Sequence, residues 1–362
     1  MRICENLNNI TPYKAGKPIE ELERELGLKK IIKLASNENP LGVSEKAKKA
    51  IKNSLNNINR YPDSFGFELK KALAANLKVK IDNITIANGS NEVLELIARA
   101  FVCSKLDEVI FSEYAFVVYS LVTKAIGAKE VIIKSNNYAH DLMAMLDAVN
   151  DNTKIIFIAN PNNPTGTFIE DGDILNFLIK VPKDVIVVID QAYFEYTDSK
   201  ITANYIDKFE NLILTRTFSK AYGLAGLRVG YAIASNKITD YLNRIREPFN
   251  VNSIAQIAAI NTLADKGFLK KSIKINALGL KQLSQGFDDL GLFYIASKAN
   301  FISVKVDSAM DVFNKLLKKG VIVRPVEMKN FLRISVGTAD ENDYFLTKLK
   351  EVLLKNNHTY SG

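Results

Sequence analysis

Seven short Val/Ile-rich runs, separated by segments long enough for a helix, constrain the fold of this chain more than any single motif. They fall at residues 84–87, 108–111, 131–133, 154–158, 184–189, 212–214 and 229–233. A strand covered on both faces loses the in–out alternation and reads as a continuous apolar run. Parallel neighbours also need crossover connections, and segments such as 91–101 have the length and apolar period of crossover helices. The pattern predicts an α/β unit over residues 43–250, with a mostly parallel seven-stranded sheet flanked by helices. After Asn250 it changes to helices over 253–264 and 269–290 and short strands near 301–305, 321–323 and 331–335, which predicts a smaller α+β unit over 251–362. Residues 1–42 read as an arm joining that smaller unit. Ligands of such sheets collect beyond the carboxyl ends of the strands, so the residues that follow each run are the candidates for chemistry.

Composition removes several classes of function. Over 362 residues, 47% hydrophobic and 24% charged content is that of a globular protein. The formal charge of +8 is scattered in pairs such as Lys48-Lys49 and Lys270-Lys271, as on solvated helix faces, so no nucleic-acid partner is expected. Cys4 and Cys103 are the only cysteines, which argues against a disulfide framework or a zinc site. His140 and His358 are the only histidines, too few for a histidine metal cluster and poorly placed for a Ser-His-Asp triad. The N-terminus lacks a signal-peptide core, and no apolar run reaches the ~18 residues of a membrane span, so a cytoplasmic location without membrane contact is expected. The chemistry therefore falls to Lys, Asp, Tyr and Arg.

The run at 212–214 leads into Thr215-Arg-Thr-Phe-Ser-Lys-Ala-Tyr-Gly-Leu-Ala-Gly-Leu-Arg-Val-Gly230, which sets Lys220 and Arg228 on either side of a glycine-rich bend. A lysine acts as an amine near neutral pH only when desolvated or beside another cation. A guanidinium with two hydroxyls, here Arg228 with Thr217 and Ser219, suits a phosphate dianion. An aldehyde cofactor bearing a phosphate would use both; the bland alternative is a solvated lysine in a turn. Ser90 and Asn91 follow the run at 84–87 at the start of a helix, where free N–H groups make an anion site or an ordinary cap. Asp190 ends the most apolar run, and a buried carboxylate needs a cationic partner; a protonated pyridine nitrogen would serve. Arg324 and Arg333 end strand-like runs near the C-terminus and read as clamps for carboxylate or phosphate groups.

The Ser219-Lys220 segment followed by Gly-Leu-Ala-Gly-Leu-Arg228 resembles the cofactor-lysine segment of pyridoxal 5′-phosphate (PLP) enzymes of the aspartate aminotransferase superfamily. Asn160-Pro-Asn-Asn-Pro-Thr-Gly166 and Asp190-Gln-Ala-Tyr193 are similar to two further signatures of that family. The resemblance implies the fold-type I PLP transferase architecture, with Lys220 holding the cofactor and Asn163 and Tyr193 bonding its phenolic oxygen. It also implies that Tyr114 stacks on the pyridine face, although Ser112-Glu-Tyr114 departs from the family's Pro-Thr-Tyr/Phe. Arg60-Tyr-Pro resembles a segment whose tyrosine reaches a partner's cofactor phosphate, so Tyr61 implies a homodimer.

Thr11-Pro-Tyr13, Leu34-Ala-Ser-Asn-Glu-Asn-Pro-Leu41, Arg246-Glu-Pro-Phe-Asn-Val-Asn252 and Leu332-Arg-Ile-Ser-Val-Gly-Thr338 resemble segments of the histidinol-phosphate branch. Tyr13, Asn37, Arg324 and Arg333 are then the substrate-binding candidates, and the partners are glutamate or 2-oxoglutarate and a phosphorylated amino or keto compound. Between Arg324 and Leu332 the chain has only Pro-Val-Glu-Met-Lys-Asn-Phe, shorter than the loop of that branch. A smaller phosphorylated ketone such as dihydroxyacetone phosphate, an aromatic keto acid, or decarboxylation of a phosphorylated amino acid remain alternatives.

Overall fold

The computed structural model describes residues 3, 5–12, 16–28 and 30–357; Tyr13 lies outside them. Along the chain the strands are β1 (Ile32–Lys33), β2 (Ile84–Ala87), β3 (Glu108–Ser112), β4 (Lys129–Ile133), β5 (Thr153–Ala159), β6 (Ile186–Asp190), β7 (Leu212–Thr217), β8 (Gly230–Ala234), β9 (Tyr294–Ile295), β10 (Phe301–Lys305), β11 (Val321–Ile322), β12 (Arg324–Pro325) and β13 (Phe331–Ser335). β2 to β8 build one seven-stranded sheet in the order β2-β8-β7-β6-β5-β3-β4. Its pairs are parallel except where β8 runs antiparallel to β2 and β7. All seven apolar runs of the sequence therefore lie in one mostly parallel sheet.

Side chains alternate across that sheet, and both faces are covered. Ile156, Ile158, Val187, Ile189 and Leu214 face one core, with the helices Phe67–Leu77, Asp171–Lys180 and Ser253–Leu263 packed on it. Ile155, Phe157, Val188 and Ile213 face the other, covered by the helices Ser90–Phe101, Val117–Ile126 and Asn236–Ile245. Burial on both sides is why the strands carry Val and Ile without alternation. A separate core gathers Leu283, Phe287, Ile302, Val304, Ile334 and Phe345 around the antiparallel sheet β12-β13-β10-β9. β1 pairs in parallel with β11, and Ile32 and Leu34 join this second core, whereas Asn6 donates to the carbonyls of Lys124 and Ala125 on a helix of the large-sheet unit. No helix among the described residues is long and apolar enough to cross a membrane.

The register of the large sheet sets the site. Ala159 stands opposite Asp190, Asp190 opposite Thr215, Thr217 opposite Gly230, and Gly230 opposite Ala87. The carboxyl ends of β2, β5, β6 and β7 thus line up along one edge, with the amino end of the reversed β8 among them.

The stacking that supports this edge can be tested. Phe157 is fully buried and stacks on Tyr119 at 4.7 Å and 7°. Phe157→Ala should cost about 3–5 kcal/mol through lost burial and the cavity left behind. A urea unfolding midpoint within error of the parent's would show that this core does not carry that load.

Candidate active site

The aligned strand ends surround a cavity of about 210 Å³. Lys220 lies on its wall, half-buried, just beyond the end of β7, and its Nζ donates to the carbonyl of Ser36 at 3.1 Å. Burial lowers its pKa to about 7, helped by the Arg333 and Arg228 guanidiniums and opposed by Glu38. Near neutral pH a large share of Lys220 is therefore free amine, the form that can attack an aldehyde or accept a proton.

Asp190 ends β6 and is 4% exposed. Its Oδ1 accepts from Thr215 Oγ1 at 2.8 Å and its Oδ2 from Tyr119 Oη at 3.0 Å. Burial raises its pKa against the pull of these hydroxyls and of the Ala192 N–H. Burial also lifts the Tyr119 phenol well above its usual range, so Tyr119 stays a donor. Hydroxyls alone offset little of a carboxylate's desolvation, and the site fits a cationic ring nitrogen brought by a ligand.

A second wall is built for an anion. Gly89 has φ 82 and precedes the helix Ser90–Phe101, whose first-turn N–H groups are free to donate. A Cβ on Gly89 would come within 2.4 Å of an Arg228 nitrogen, and one on Gly230 within 2.5 Å of Ser90 N, so the cradle closes only around glycine. Arg228 Nη1 donates to Ser219 Oγ at 3.2 Å, and Thr217 Oγ1 accepts from Ser219 N at 3.1 Å. Helix N-terminus, guanidinium and hydroxyls converge as a phosphate requires.

On the side of the smaller sheet, Arg333 Nη1 donates to Asn163 Oδ1 at 2.5 Å and Nη2 to Ala35 O at 2.9 Å. Arg324 and Arg333 are register partners across β12 and β13. Like charges opposite one another on a sheet repel, and an anion between them would relieve that cost.

The cavity thus brings together Ser90, Asn91, Asn163, Asp190, Tyr193, Thr217, Ser219, Lys220, Arg228, Arg324 and Arg333, residues that stand up to 243 positions apart in the sequence numbering, 333 − 90. Asn37 also lines it, but its side chain is 1% exposed and its Nδ2 donates to Tyr193 Oη at 2.9 Å; Ser335 and Asn300 fix it in turn. Its geometry is that of a support for Tyr193. Tyr114 is not on this cavity: its ring stacks on Tyr138 at 6.1 Å in an adjoining one, and Phe116, two residues on, lines the Lys220 cavity instead. Of the two rings in the loop after β3, it is that of Phe116 that borders the Lys220 cavity. Tyr61 is 83% exposed and stacks on Phe249, away from the cavity. Sequence reading also missed Tyr119 and Thr215, the partners of Asp190. Thr215 was within reach, since period 2 puts it on the same face of β7 as Thr217.

The family profile of the class I and II aminotransferases matches residues 29–349. The chain belongs to that family and is a PLP-dependent aminotransferase. It is 50% identical to "histidinol-phosphate aminotransferase 1" of Idiomarina loihiensis over 96% of each chain, and 51% identical to "histidinol-phosphate aminotransferase 2" of Pasteurella multocida over 97% of this chain and 98% of that one. The crystal structure of histidinol-phosphate aminotransferase from Sinorhizobium meliloti, in complex with pyridoxal-5′-phosphate, superposes with a TM-score of 0.91 at 28% identity, covering 98% of both chains.

The Lys220 environment has a direct readout. In cofactor-free protein, modification of Lys220 by an amine-reactive reagent should rise with pH and level off above about 7, whereas exposed lysines follow a value near 10.5. Arg333→Gln should move the midpoint up, since it removes a cation that opposes protonation. Peptide mapping that found Lys220 titrating with the exposed lysines would contradict the assigned environment.

Proposed function

We propose that this protein transfers an amino group between glutamate and a phosphorylated keto compound, as histidinol-phosphate aminotransferase: histidinol phosphate and 2-oxoglutarate give imidazole acetol phosphate and glutamate. The observation that carries this reading is the cross-strand pair Arg324 and Arg333 at the rim of the Lys220 cavity. Both substrates present an anionic end beside the reacting carbon, a carboxylate in one and a phosphate ester in the other, and one guanidinium pair can hold each in turn. The names of relatives about 50% identical over nearly the whole chain support the same substrate.

The residues divide the work as follows. When bound, PLP draws electrons from the carbon that carries the substrate's amino group. Ser90, Asn91, Thr217, Ser219 and Arg228 hold its phosphate in the cradle between the helix N-terminus and β8. Asp190 faces its ring nitrogen and keeps the proton there, while Thr215 and Tyr119 keep the carboxylate aimed. Asn163 and Tyr193 bond its phenolic oxygen, and Phe116 covers one face of the ring. Lys220, on the cavity wall and a free amine in large part near neutral pH, would hold the cofactor's aldehyde and would serve as the base that moves the proton at the substrate's Cα. Arg324 and Arg333 would seat glutamate and the phosphorylated keto compound in turn at the same cavity.

The enzyme acts as a homodimer in which Tyr61 reaches the partner's phosphate cradle. An 83% exposed tyrosine stacked on Phe249, beside exposed Leu55, Ile58 and Phe65, supports a surface completed by a second copy. The exposed free thiol of Cys103 suits a reducing, cytoplasmic compartment.

Purified holoenzyme should transfer nitrogen from glutamate to imidazole acetol phosphate and, in reverse, from histidinol phosphate to 2-oxoglutarate. Arg333→Ala should slow the glutamate half-reaction by roughly ten- to a hundredfold, the worth of a charged hydrogen bond. Inactivity with histidinol phosphate alongside turnover of dihydroxyacetone phosphate or phenylalanine would replace the proposed substrate.

Mixing Tyr61→Phe with Lys220→Ala subunits tests the dimer. Where each change alone is strongly damaging, one site of the hybrid holds both native groups, and activity should return to a fraction of sites. Sedimentation of a monomer at micromolar concentration would rule the arrangement out.

A further inference from the structure

The proposed chemistry uses only the inner side of the turn Asn88-Gly-Ser90. Its outer side is held by a carboxylate, Glu92, the third residue of the helix Ser90–Phe101. Glu92 does not line the Lys220 cavity but a neighbouring one, together with Asn88 and Glu95. A carboxylate in the first turn of a helix is drawn to the free N–H groups there, and at this position it commonly reaches back to the residue just before the helix. Here the Gly89 N–H is already taken, donating to Ala87 O at 2.8 Å. Glu92 Oε2 instead accepts from the Asn88 N–H, one residue further out, and from Asn250 Nδ2 at 2.7 Å.

Asn250 Nδ2 also donates to Ile86 O at 3.3 Å, and its Oδ1 accepts from Arg246 Nη1 at 2.5 Å. One side chain thus ties the strand end before the turn to the helix after it. The residue before it is strained: Phe249 takes φ 60, which a bulky side chain rarely adopts, and its N–H donates to Ser64 Oγ at 3.1 Å. Such strain persists only where the surroundings enforce it. Two effects of Glu92 on an anion in the cradle then oppose each other. Its charge repels a phosphate across the turn, so by Coulomb energy alone its loss would tighten binding. Its bonds hold the turn in shape and keep the carboxylate away from the N–H groups a phosphate needs, so their loss would loosen binding.

We infer that Glu92, fixed by Asn250 and through it by Arg246, is a positioning residue for the phosphate cradle, and that its bonds outweigh its charge. The inference rests on the reading of Ser90, Asn91 and Arg228 as holders of the cofactor's phosphate. It concerns the binding of the phosphate and not the transfer of nitrogen, since none of the three supporting side chains lines the Lys220 cavity.

The test titrates full-length protein, freed of cofactor, with PLP and separately with pyridoxal, which lacks the phosphate. Glu92→Ala should raise the Kd for PLP at least about tenfold and leave that for pyridoxal within about twofold. Glu92→Gln removes the charge but keeps one oxygen able to accept from both Asn88 and Asn250, so its Kd for PLP should stay within about threefold of wild type. Asn250→Leu, which removes the amide at similar volume, should repeat the loss confined to PLP, and it carries the test should Glu92→Ala fail to fold. Unchanged or tighter PLP binding in Glu92→Ala, a loss shared equally by pyridoxal, or an equal loss in Glu92→Gln overturns the inference while the cradle stands. Wild-type protein that binds pyridoxal as tightly as PLP overturns the cradle as well.

Discussion

The arrangement depends on a carboxylate kept charged inside the protein. Asp190 sits at the end of a strand buried on both faces, with two hydroxyls and one backbone N–H as its partners. Left to itself such a group would take up a proton, and its raised pKa shows that pressure. In the proposed reaction a ring nitrogen carrying a proton would resolve it, because the ion pair would restore to the carboxylate what burial removed. The same pair would hold the ring as an electron acceptor. The cost of burying Asp190 and the reactivity of the bound cofactor are thus two sides of one interaction.

Register then fixes everything else relative to that carboxylate. Asp190 pairs with Ala159 on one side and Thr215 on the other, and Thr217 pairs with Gly230, which pairs with Ala87. Asn163 and Lys220 follow within four residues of two of these positions, and Ser90 follows Ala87 by three. A slip of one residue in β7 would turn Thr215 and Thr217 to the opposite face and break both the Asp190 contact and the phosphate cradle. The apolar pattern that makes the core therefore also enforces the geometry of the site.

That coupling explains how much of the protein was legible in the sequence. Uninterrupted Val/Ile runs identified all seven strands of the large sheet, and the residues just beyond them identified the lysine, the aspartate and the cradle. Legibility failed where position depends on something other than the strand. Phe116 and Tyr114 differ by two residues in a loop between β3 and the next helix, where there is no periodicity to read. Tyr119 reaches Asp190 from a helix 71 positions earlier, and only the packing of that helix reveals the contact. The helix Ser253–Leu263 is apolar nearly all round, with Ala255, Ala258 and Ala259 in the large-sheet core, so its pattern does not say which core it joins. Tyr61 lies exposed on Phe249, away from the strand ends that made the rest of the site readable.

The charges at the cavity complete the physical picture. Lys220, Arg228, Arg324 and Arg333 all line it, while Asp190 is the carboxylate on its wall. Such an excess of cations is unfavourable in a partly desolvated space, and the lowered pKa of Lys220, traced in part to Arg333 and Arg228, is the protein's local response. In the proposed reaction anionic ligands would meet these cations: a phosphate at Arg228, and a carboxylate or phosphate ester at Arg324 and Arg333. Because these ligands bind the folded chain and not the unfolded one, their affinity adds to its stability by mass action. Burial first, and the neighbouring guanidiniums second, lower the Lys220 pKa, and those same guanidiniums make the cavity a place suited to anions.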